Sequence, residues 1–86
     1  MLVLSRKLGE SVIFDSAIVA TVAVIAPEFV ELSLTNISGD TLGSVTLGKD
    51  HLSHIAHGVR AILIKTDLSK IRLGFEYPIG VVVTRQ

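Results

Sequence analysis

The chain has 86 residues, of which 49% are hydrophobic, 5% are aromatic and none is cysteine, and its formal net charge is zero. This length suits one domain with a modest aliphatic core. The absence of cysteine excludes disulfides and cysteine-based metal sites, and the balanced charge means that any anion-binding surface must come from local clustering of cations. A soluble, cytoplasmic protein is expected, since the N-terminus lacks a secretory pattern and no apolar run reaches the roughly 18–20 residues that span a bilayer.

The first part of the chain predicts four short strands in succession, over residues 1–5, 11–14, 17–25 and 29–35. The third run is almost continuously apolar, which favours a central strand covered on both faces. The fourth run alternates between apolar and polar residues, as a strand with one buried face does. Residues 36–44 contain Gly39 and Gly43 and are predicted to form an extended loop, followed by a short strand over residues 45–47.

One short helix is predicted over residues 51–57. Asp50 is a suitable N-cap, and Gly58 is a suitable residue to end the helix. One face of this helix would carry the apolar side chains of Leu52, Ile55 and Ala56.

The rest of the chain returns to strand over residues 60–66, 71–76 and 81–84, and the last two runs form a hairpin around residues 77–80. The predicted fold class is therefore all-β, mainly antiparallel, with about eight short strands and one short helix.

The C-terminal segment repeats a pattern used earlier in the chain. The aligned apolar pairs are Val30 with Ile71, Leu32 with Leu73 and Leu34 with Phe75. The run 45–47 aligns with 81–83, which places Lys49 opposite Arg85. An internal repeat in so short a chain indicates two related β-units. The units differ chemically, because only the second ends in arginine.

The opening MLVLSRKLGESVIF resembles the Met-Leu-x-Leu-[Ser/Thr]-Arg-[Arg/Lys]-x-Gly-Glu opening of the carbon storage regulator family (CsrA/RsmA) of bacterial RNA-binding proteins. The C-terminal IRLGFEYPIGVVVTR is similar to the fourth and fifth strands of the same family, including Arg72, Gly74, Pro78 and Arg85. Within a single domain of residues 1–86, residues 1–55 resemble a whole family member. Residues 60–86 resemble a second, partial copy that lacks the first two strands.

The resemblance implies a CsrA-like β-sandwich or barrel, in which the first strand of one unit lies beside the last strand of the other. Family members are intertwined homodimers that bind GGA motifs in single-stranded loops of mRNA leaders or small RNAs and so control translation or message stability. By position, the RNA-binding residues would be Leu4, Arg6, Lys7, Thr84 and Arg85. The resemblance implies no DNA or membrane partner, no cofactor and no catalysis.

Two assemblies are compatible with this partial duplication. In a monomeric pseudo-dimer, the last strand of the chain would pair with its own first strand and form one complete RNA site. In a homodimer, two chains would exchange strands and form two sites. A different function is a diverged family member that acts as a protein-interaction module, forming mixed dimers or antagonising its relatives, with weak or no RNA binding. The neutral charge, Lys49 in place of an arginine and the long loop 36–44 favour that alternative.

The cations near both termini suit the recognition of single-stranded RNA. Arg85 follows a short strand, and a guanidinium can bind the edge of a guanine with two hydrogen bonds. Arg6 and Lys7 are adjacent on a strand, so their side chains point to opposite faces and only one of them can face a given site. Without the resemblance, their simplest role would be to protect an edge strand against aggregation.

Other reactive residues form no recognisable site. His51, His54 and His57 recur every third residue along the predicted helix, but no carboxylate or cysteine completes a metal site there. The serines have no neighbouring base and acid, and glycine-rich phosphate-binding motifs are missing. We therefore expect neither a metal, nor a cofactor, nor enzymatic activity.

Overall fold

Nine β-strands in two antiparallel sheets make up the fold in a computed structural model, which describes residues 1–67 and 69–86. In chain order the strands are β1 Leu2–Arg6, β2 Ser11–Phe14, β3 Ile18–Ile25, β4 Val30–Asn36, β5 Thr41–Leu47, β6 Ser53–Ala56, β7 Val59–Thr66, β8 Ile71–Glu76 and β9 Val83–Arg85. The four-stranded sheet has the order β1-β8-β7-β6, and the five-stranded sheet has the order β5-β4-β3-β2-β9. The predicted all-β, antiparallel fold class is confirmed.

The core lies between the inward faces of the two sheets, because alternate residues of each strand point to the same face. On β8 the inward residues are Ile71, Leu73 and Phe75, and each is at most 1% exposed. The side chains of the core are almost all aliphatic, as the composition predicted. No polar or charged residue is buried in the part of the chain that the structure describes.

Strand β3 corrects one expectation from the sequence. It lies in the middle of the five-stranded sheet, but only one of its faces is covered. Ile18, Ala20 and Val22 are buried, whereas Val24 on the other side of the strand is 40% exposed. Valine and alanine tolerate partial exposure on a sheet, so a nearly continuous apolar run does not require two covered faces.

The internal repeat is visible in the strand pairing. β3 and β7 each contain an irregularity, after Val22 and after Leu63, and pairing resumes at Val24 and Lys65. The difference in residue number between Val22 and Leu63 equals the difference between the first residues of β4 and β8. Thus β2, β3 and β4 in one sheet correspond to β6, β7 and β8 in the other, so the second unit begins before residue 60 and, contrary to the expectation from the sequence, includes an equivalent of the second strand.

Strand β5 occupies, beside β4, the place that β1 occupies beside β8. Leu32 on β4 lies opposite Val45, and its equivalent Leu73 on β8 lies opposite Leu4. The two sheets differ at their other ends. β9 lies beside β2, whereas no strand of the described residues lies beside the outer edge of β6.

The predicted helix over residues 51–57 is wrong, because these residues include β6, which forms a hairpin with β7. His57 and Gly58 form its turn with φ angles of 54° and 77°, and two consecutive positive φ values are typical of a type I′ hairpin turn. Gly58 is therefore part of a hairpin turn and does not end a helix. Asp50 is not an N-cap; its Oδ1 lies 2.8 Å from His51 Nδ1. No helix long and apolar enough to cross a membrane occurs among residues 1–67 and 69–86.

The predicted loop over residues 36–44 is also shorter than expected, because β4 continues to Asn36 and β5 begins at Thr41. Asn36 Oδ1 accepts hydrogen bonds from the backbone N–H groups of Ser38 and Asp40, at 3.0 and 2.9 Å. These bonds close a tight turn. Gly43 belongs to β5, next to a shift in its register against β4, rather than to a loop.

Candidate nucleic-acid interface

The edges of the two sheets meet where β1 ends. β1 is an edge strand of the four-stranded sheet, and β9 is an edge strand of the five-stranded sheet. The side chain of Arg6 joins them, because its Nη1 donates a hydrogen bond to the backbone carbonyl of Gln86 at 3.0 Å. We call the surface formed by Arg6, Lys7, Thr84, Arg85 and Gln86 the β1–β9 rim.

Strand β9 is held against β2 at both of its ends. At one end, Asp15 donates its backbone N–H to the carbonyl of Val82 at 2.8 Å, and its Oδ1 accepts the N–H of Val82 at 2.9 Å. At the other end, the N–H of Gln86 donates to the carbonyl of Ser11 at 3.1 Å. Asp15 has a φ of 55°, a left-handed conformation that Asp and Asn adopt more readily than most residues.

The terminal strands do not pair as expected for the monomeric pseudo-dimer, in which the last strand was to pair with the first. The last strand does not pair with the first. Instead β9 pairs with β2, and β1 pairs with β8, so that Leu4 lies opposite Leu73 and Ile13 lies opposite Thr84. Both pairings still join the beginning of the chain to its end within one molecule.

The main role of Arg6 at the rim is structural, because it connects the end of β1 to Gln86 after β9. Its side chain is only 14% exposed, and its Nε donates to the carbonyl of Ser5 at 2.7 Å and lies 3.9 Å from the Glu10 carboxylate. Its Nη1 also reaches the carbonyl of Ser11 at 3.4 Å. Because these contacts use much of its hydrogen-bonding capacity, Arg6 positions the rim and contributes charge to it.

Lys7 extends from the tight turn that follows β1. The carboxylate of Glu10 accepts the backbone N–H of Lys7 at 2.7 Å, and the N–H of Glu10 donates to the carbonyl of Lys7 at 3.0 Å. Gly9 completes this turn with a φ of 85°. The turn fixes the backbone while the side chain of Lys7 remains exposed.

Arg85 is the exposed arginine of the rim. It lies directly opposite Val12, whose side chain points into the core, so Arg85 projects from the inward-facing side of β9 at the margin of the sheet. Arg6 lies opposite the buried Ile71 and has the same relation to β1. Among the described residues, the Arg85 side chain takes part in none of the ion pairs. Its guanidinium is therefore free to bind a ligand.

The other two predicted site residues are placed differently. Thr84 is exposed and lies opposite Ile13, so it points to the outer face of the five-stranded sheet. Leu4 is 3% exposed and belongs to the core, so its side chain cannot contact a ligand. The structure thus places Arg6, Lys7, Thr84 and Arg85 at the rim, whereas the side chain of Leu4 lies in the core.

Three residues of this region were not predicted from the sequence: Glu10, Asp15 and Gln86. The pair Gly9-Glu10 in the opening motif was the available signal for Glu10, and an aspartate after a short strand indicated only a turn. The bond between Asp15 and Val82 joins residues 67 positions apart. No local pattern predicts such a contact.

Lys49 does not occupy the place of Arg85. The repeat alignment set residues 45–47 against 81–83, but β5 pairs with β4 whereas β9 pairs with β2. By position in the sheets, β5 is the equivalent of β1. Lys49 therefore lies on the connection after β5, at the opposite edge of the five-stranded sheet from Arg85.

The histidines lie along β6 and its flanking turns rather than on a helix. His54 is opposite Arg60, and His57 Nδ1 lies 4.0 Å from Asp15 Oδ2. No group of three histidine, aspartate or glutamate side chains placed to hold a metal ion occurs among residues 1–67 and 69–86.

Comparison of the chain with protein-family models, with curated proteins and with solved structures found no match.

Proposed function

We propose that the protein is a post-transcriptional regulator that binds GGA motifs in single-stranded loops of mRNA leaders or small RNAs, and so controls translation or message stability. It acts in the cytoplasm, and it acts by binding rather than by catalysis. The observation that supports this function best is the convergence of Arg6 and Arg85, from opposite ends of the sequence, on one rim between two sheet edges.

The chemistry of the rim suits an unpaired RNA loop. Single-stranded loops expose base edges that side chains and backbone groups can read. The free guanidinium of Arg85 can bind the O6 and N7 atoms of a guanine. The outer edges of β1 and β9 supply backbone N–H and C=O groups that pair with no other strand of residues 1–67 and 69–86. Lys7 adds a positive charge that attracts the phosphates.

The same proposal extends to the assembly. In the family that the sequence resembles, the contacts between first and last strands form between two subunits. Here β1 with β8 and β2 with β9 pair within one chain. We infer a monomeric pseudo-dimer with one RNA site. The reason is that β5 already pairs with the edge of β4 at which the first strand of a second chain would have to pair.

A protein-interaction role is the second candidate. The outer edge of β6 favours it, since no strand of the described residues lies there whereas the equivalent edge of β2 carries β9. An added strand from a partner could pair with that edge. Native mass spectrometry of the protein mixed with a dimeric carbon storage regulator tests this role, which predicts a mixed species.

The RNA function is tested by titration with a hairpin that displays GGA in its loop and with a matched hairpin whose loop lacks it, at two salt concentrations. Arg85→Ala should weaken binding of the GGA hairpin by about 1–3 kcal/mol, as the loss of a bidentate guanine contact does. Lys49→Ala removes an exposed cation at the other edge of the sheet and should change binding little. Absence of wild-type binding, or equal losses from the two variants, would contradict the proposed function.

A further inference from the structure

A second group of cations surrounds a concavity at the end of the four-stranded sheet where β7 and β8 are joined. The concavity has a volume of about 200 Å³ and is lined by Ser5, Lys65, Asp67, Lys70, Ile71 and Arg72. The three cations are all exposed. We call the surface formed by Ser5, Lys65, Lys70 and Arg72 the basic cleft.

The strand register brings three of these residues to one face. Ser5 on β1 lies opposite Arg72 on β8, and Arg72 lies opposite Lys65 on β7. Directly paired residues point to the same side of a sheet, and adjacent strands are about 4.8 Å apart. The neighbouring residues Leu4 and Leu73 point into the core, so the basic cleft is on the outer face.

The positive charge of the cleft is only partly balanced. Among the described residues, Lys65, Lys70 and Arg72 form none of the ion pairs. The carboxylate of Asp67 lies nearby, but its Oδ1 accepts the backbone N–H groups of Lys70 and Ser69, at 2.9 and 3.1 Å, and the Ser69 hydroxyl at 2.8 Å. That carboxylate holds the turn, and three cations remain against one anion.

The internal repeat provides a comparison that separates function from folding. At the equivalent end of the five-stranded sheet, Val24, Phe29 and Glu31 stand in the places of Lys65, Lys70 and Arg72. Glu31 lies opposite Thr46 as Arg72 lies opposite Ser5. The same arrangement of strands thus forms without these cations. Only the sheet that contributes β1 to the rim has them.

The basic cleft adjoins the rim through β1. Ser5 borders the cleft, and the next residue, Arg6, hydrogen-bonds Gln86 at the rim. A nucleic-acid strand that leaves the rim and crosses β1 at Ser5 meets Arg72 and then Lys65 on the following strands. Such a strand carries a phosphate at every nucleotide, and phosphates are the groups that lysine and arginine bind without regard to base sequence.

We propose that the basic cleft binds the phosphodiester backbone of the same RNA, beyond the loop nucleotides that the rim contacts. This inference rests on the proposed function of the rim. It means that RNA length and flanking structure, and not the loop alone, determine affinity.

Two hairpin RNAs with the same GGA loop test the inference, one with a minimal stem and one with a longer stem and single-stranded flanks. The triple variant Lys65→Gln, Lys70→Gln, Arg72→Gln should bind the longer RNA on the order of tenfold more weakly than the wild type. The slope of its log association constant against log salt concentration should be less negative than that of the wild type by about 2, as expected for three lost phosphate contacts. The two proteins should bind the minimal hairpin equally. Arg72→Glu, which introduces the residue type found at Glu31, should show the same selective loss.

The outcomes separate the two proposals. Equal binding of the longer RNA by wild type and triple variant, with equal salt slopes, would overturn the role of the cleft while leaving the rim intact. An equal loss for both RNAs would overturn it too, since the cleft would then not be an extension of the site. A wild type that binds neither RNA would overturn the proposed function and this inference with it. Lys49→Gln is the matched charge control.

Discussion

The rings of Phe14 and Phe75 meet edge to face across the core, with their centroids 5.5 Å apart and their planes inclined by 60°. Phe14 belongs to β2 and lies opposite Val83 on β9, whereas Phe75 belongs to β8 and lies opposite Leu2 on β1. This contact therefore connects the two strand pairs that support the β1–β9 rim. Phe14 and Phe75 thus belong both to the core and to the strand pairs beside the candidate site.

Replacement of these rings should show that they interact directly. In a double-mutant cycle of Phe14→Leu and Phe75→Leu, each variant loses unfolding free energy. The sum of the two single-variant losses should exceed the loss in the double variant by about 0.5–1.5 kcal/mol. Urea unfolding measures all four proteins. A control cycle of Phe14→Leu with Leu47→Ala, on the far strand β5, should be additive. Additivity in the first cycle would contradict a direct contact.

Asp15 should affect RNA binding although it lies outside the rim. Asp15→Ala removes the carboxylate that accepts the N–H of Val82 and places alanine at a positive φ, so β9 should lose part of its attachment to β2. We expect weaker binding of the GGA hairpin than in the wild type. Asp15→Asn keeps an acceptor and tolerates the same φ, and should bind almost normally. Equal binding by both variants would show that this bond does not position Arg85.

Gly58 should be less tolerant of a side chain than Gly39. Both have a positive φ, so alanine at either site should cost about 1–2 kcal/mol of backbone strain. A Cβ at Gly58 would also lie 2.9 Å from Pro78 Cγ, whereas a Cβ at Gly39 would meet nothing within 4 Å. Gly58→Ala should therefore have the lower urea midpoint of the two variants. Equal midpoints would mean that the loop carrying Pro78 moves aside without cost.

Asp67 should make folding stability depend on acid pH. The backbone N–H of Lys70, followed by the Ser69 hydroxyl, lowers the pKa of its carboxyl below the ordinary value of 3.8. A lowered folded-state pKa stabilises the protein above the unfolded-state value, and this stabilisation disappears as the pH falls through the folded-state pKa. The stability difference between wild type and Asp67→Asn should thus be full near neutral pH and shrink below about pH 4. A difference that stays constant down to about pH 2 would refute this linkage.

The mass in solution distinguishes the two assemblies. A chain that completes both strand pairs by itself should be a 9.2 kDa monomer at micromolar concentration. Light scattering coupled to size-exclusion chromatography measures this mass directly. A stable species of about twice that mass would contradict the monomeric pseudo-dimer.

The strands were predictable where alternation was sustained, as in residues 29–35, in which Leu32 and Leu34 are buried as expected. The predicted helix failed because the run Ser53–Ala56 is only four residues long, and so short a run suits either periodicity. The positive φ values of His57 and Gly58, which make the turn of a hairpin, were not evident from the residue types.

The site was only partly predictable, since a motif gives residue types but not their neighbours. Arg6 and Arg85 were identified from the sequence, and the pairing of β2 with β9 then decided which face of its strand Arg85 occupies. The inward orientation of Leu4 follows from its position opposite Leu73. The basic cleft needed the register between β7 and β8, which an irregularity after Leu63 shifts by one residue.

The pairing of Val12 with Arg85 has a consequence for the order of folding. Hairpins such as β2–β3 and β3–β4 close short loops, whereas β1–β8 and β2–β9 must bring together residues from opposite ends of the chain. Closing long loops costs more entropy and slows folding. The rim should therefore form last during refolding, and RNA binding should be recovered only in the slowest kinetic phase.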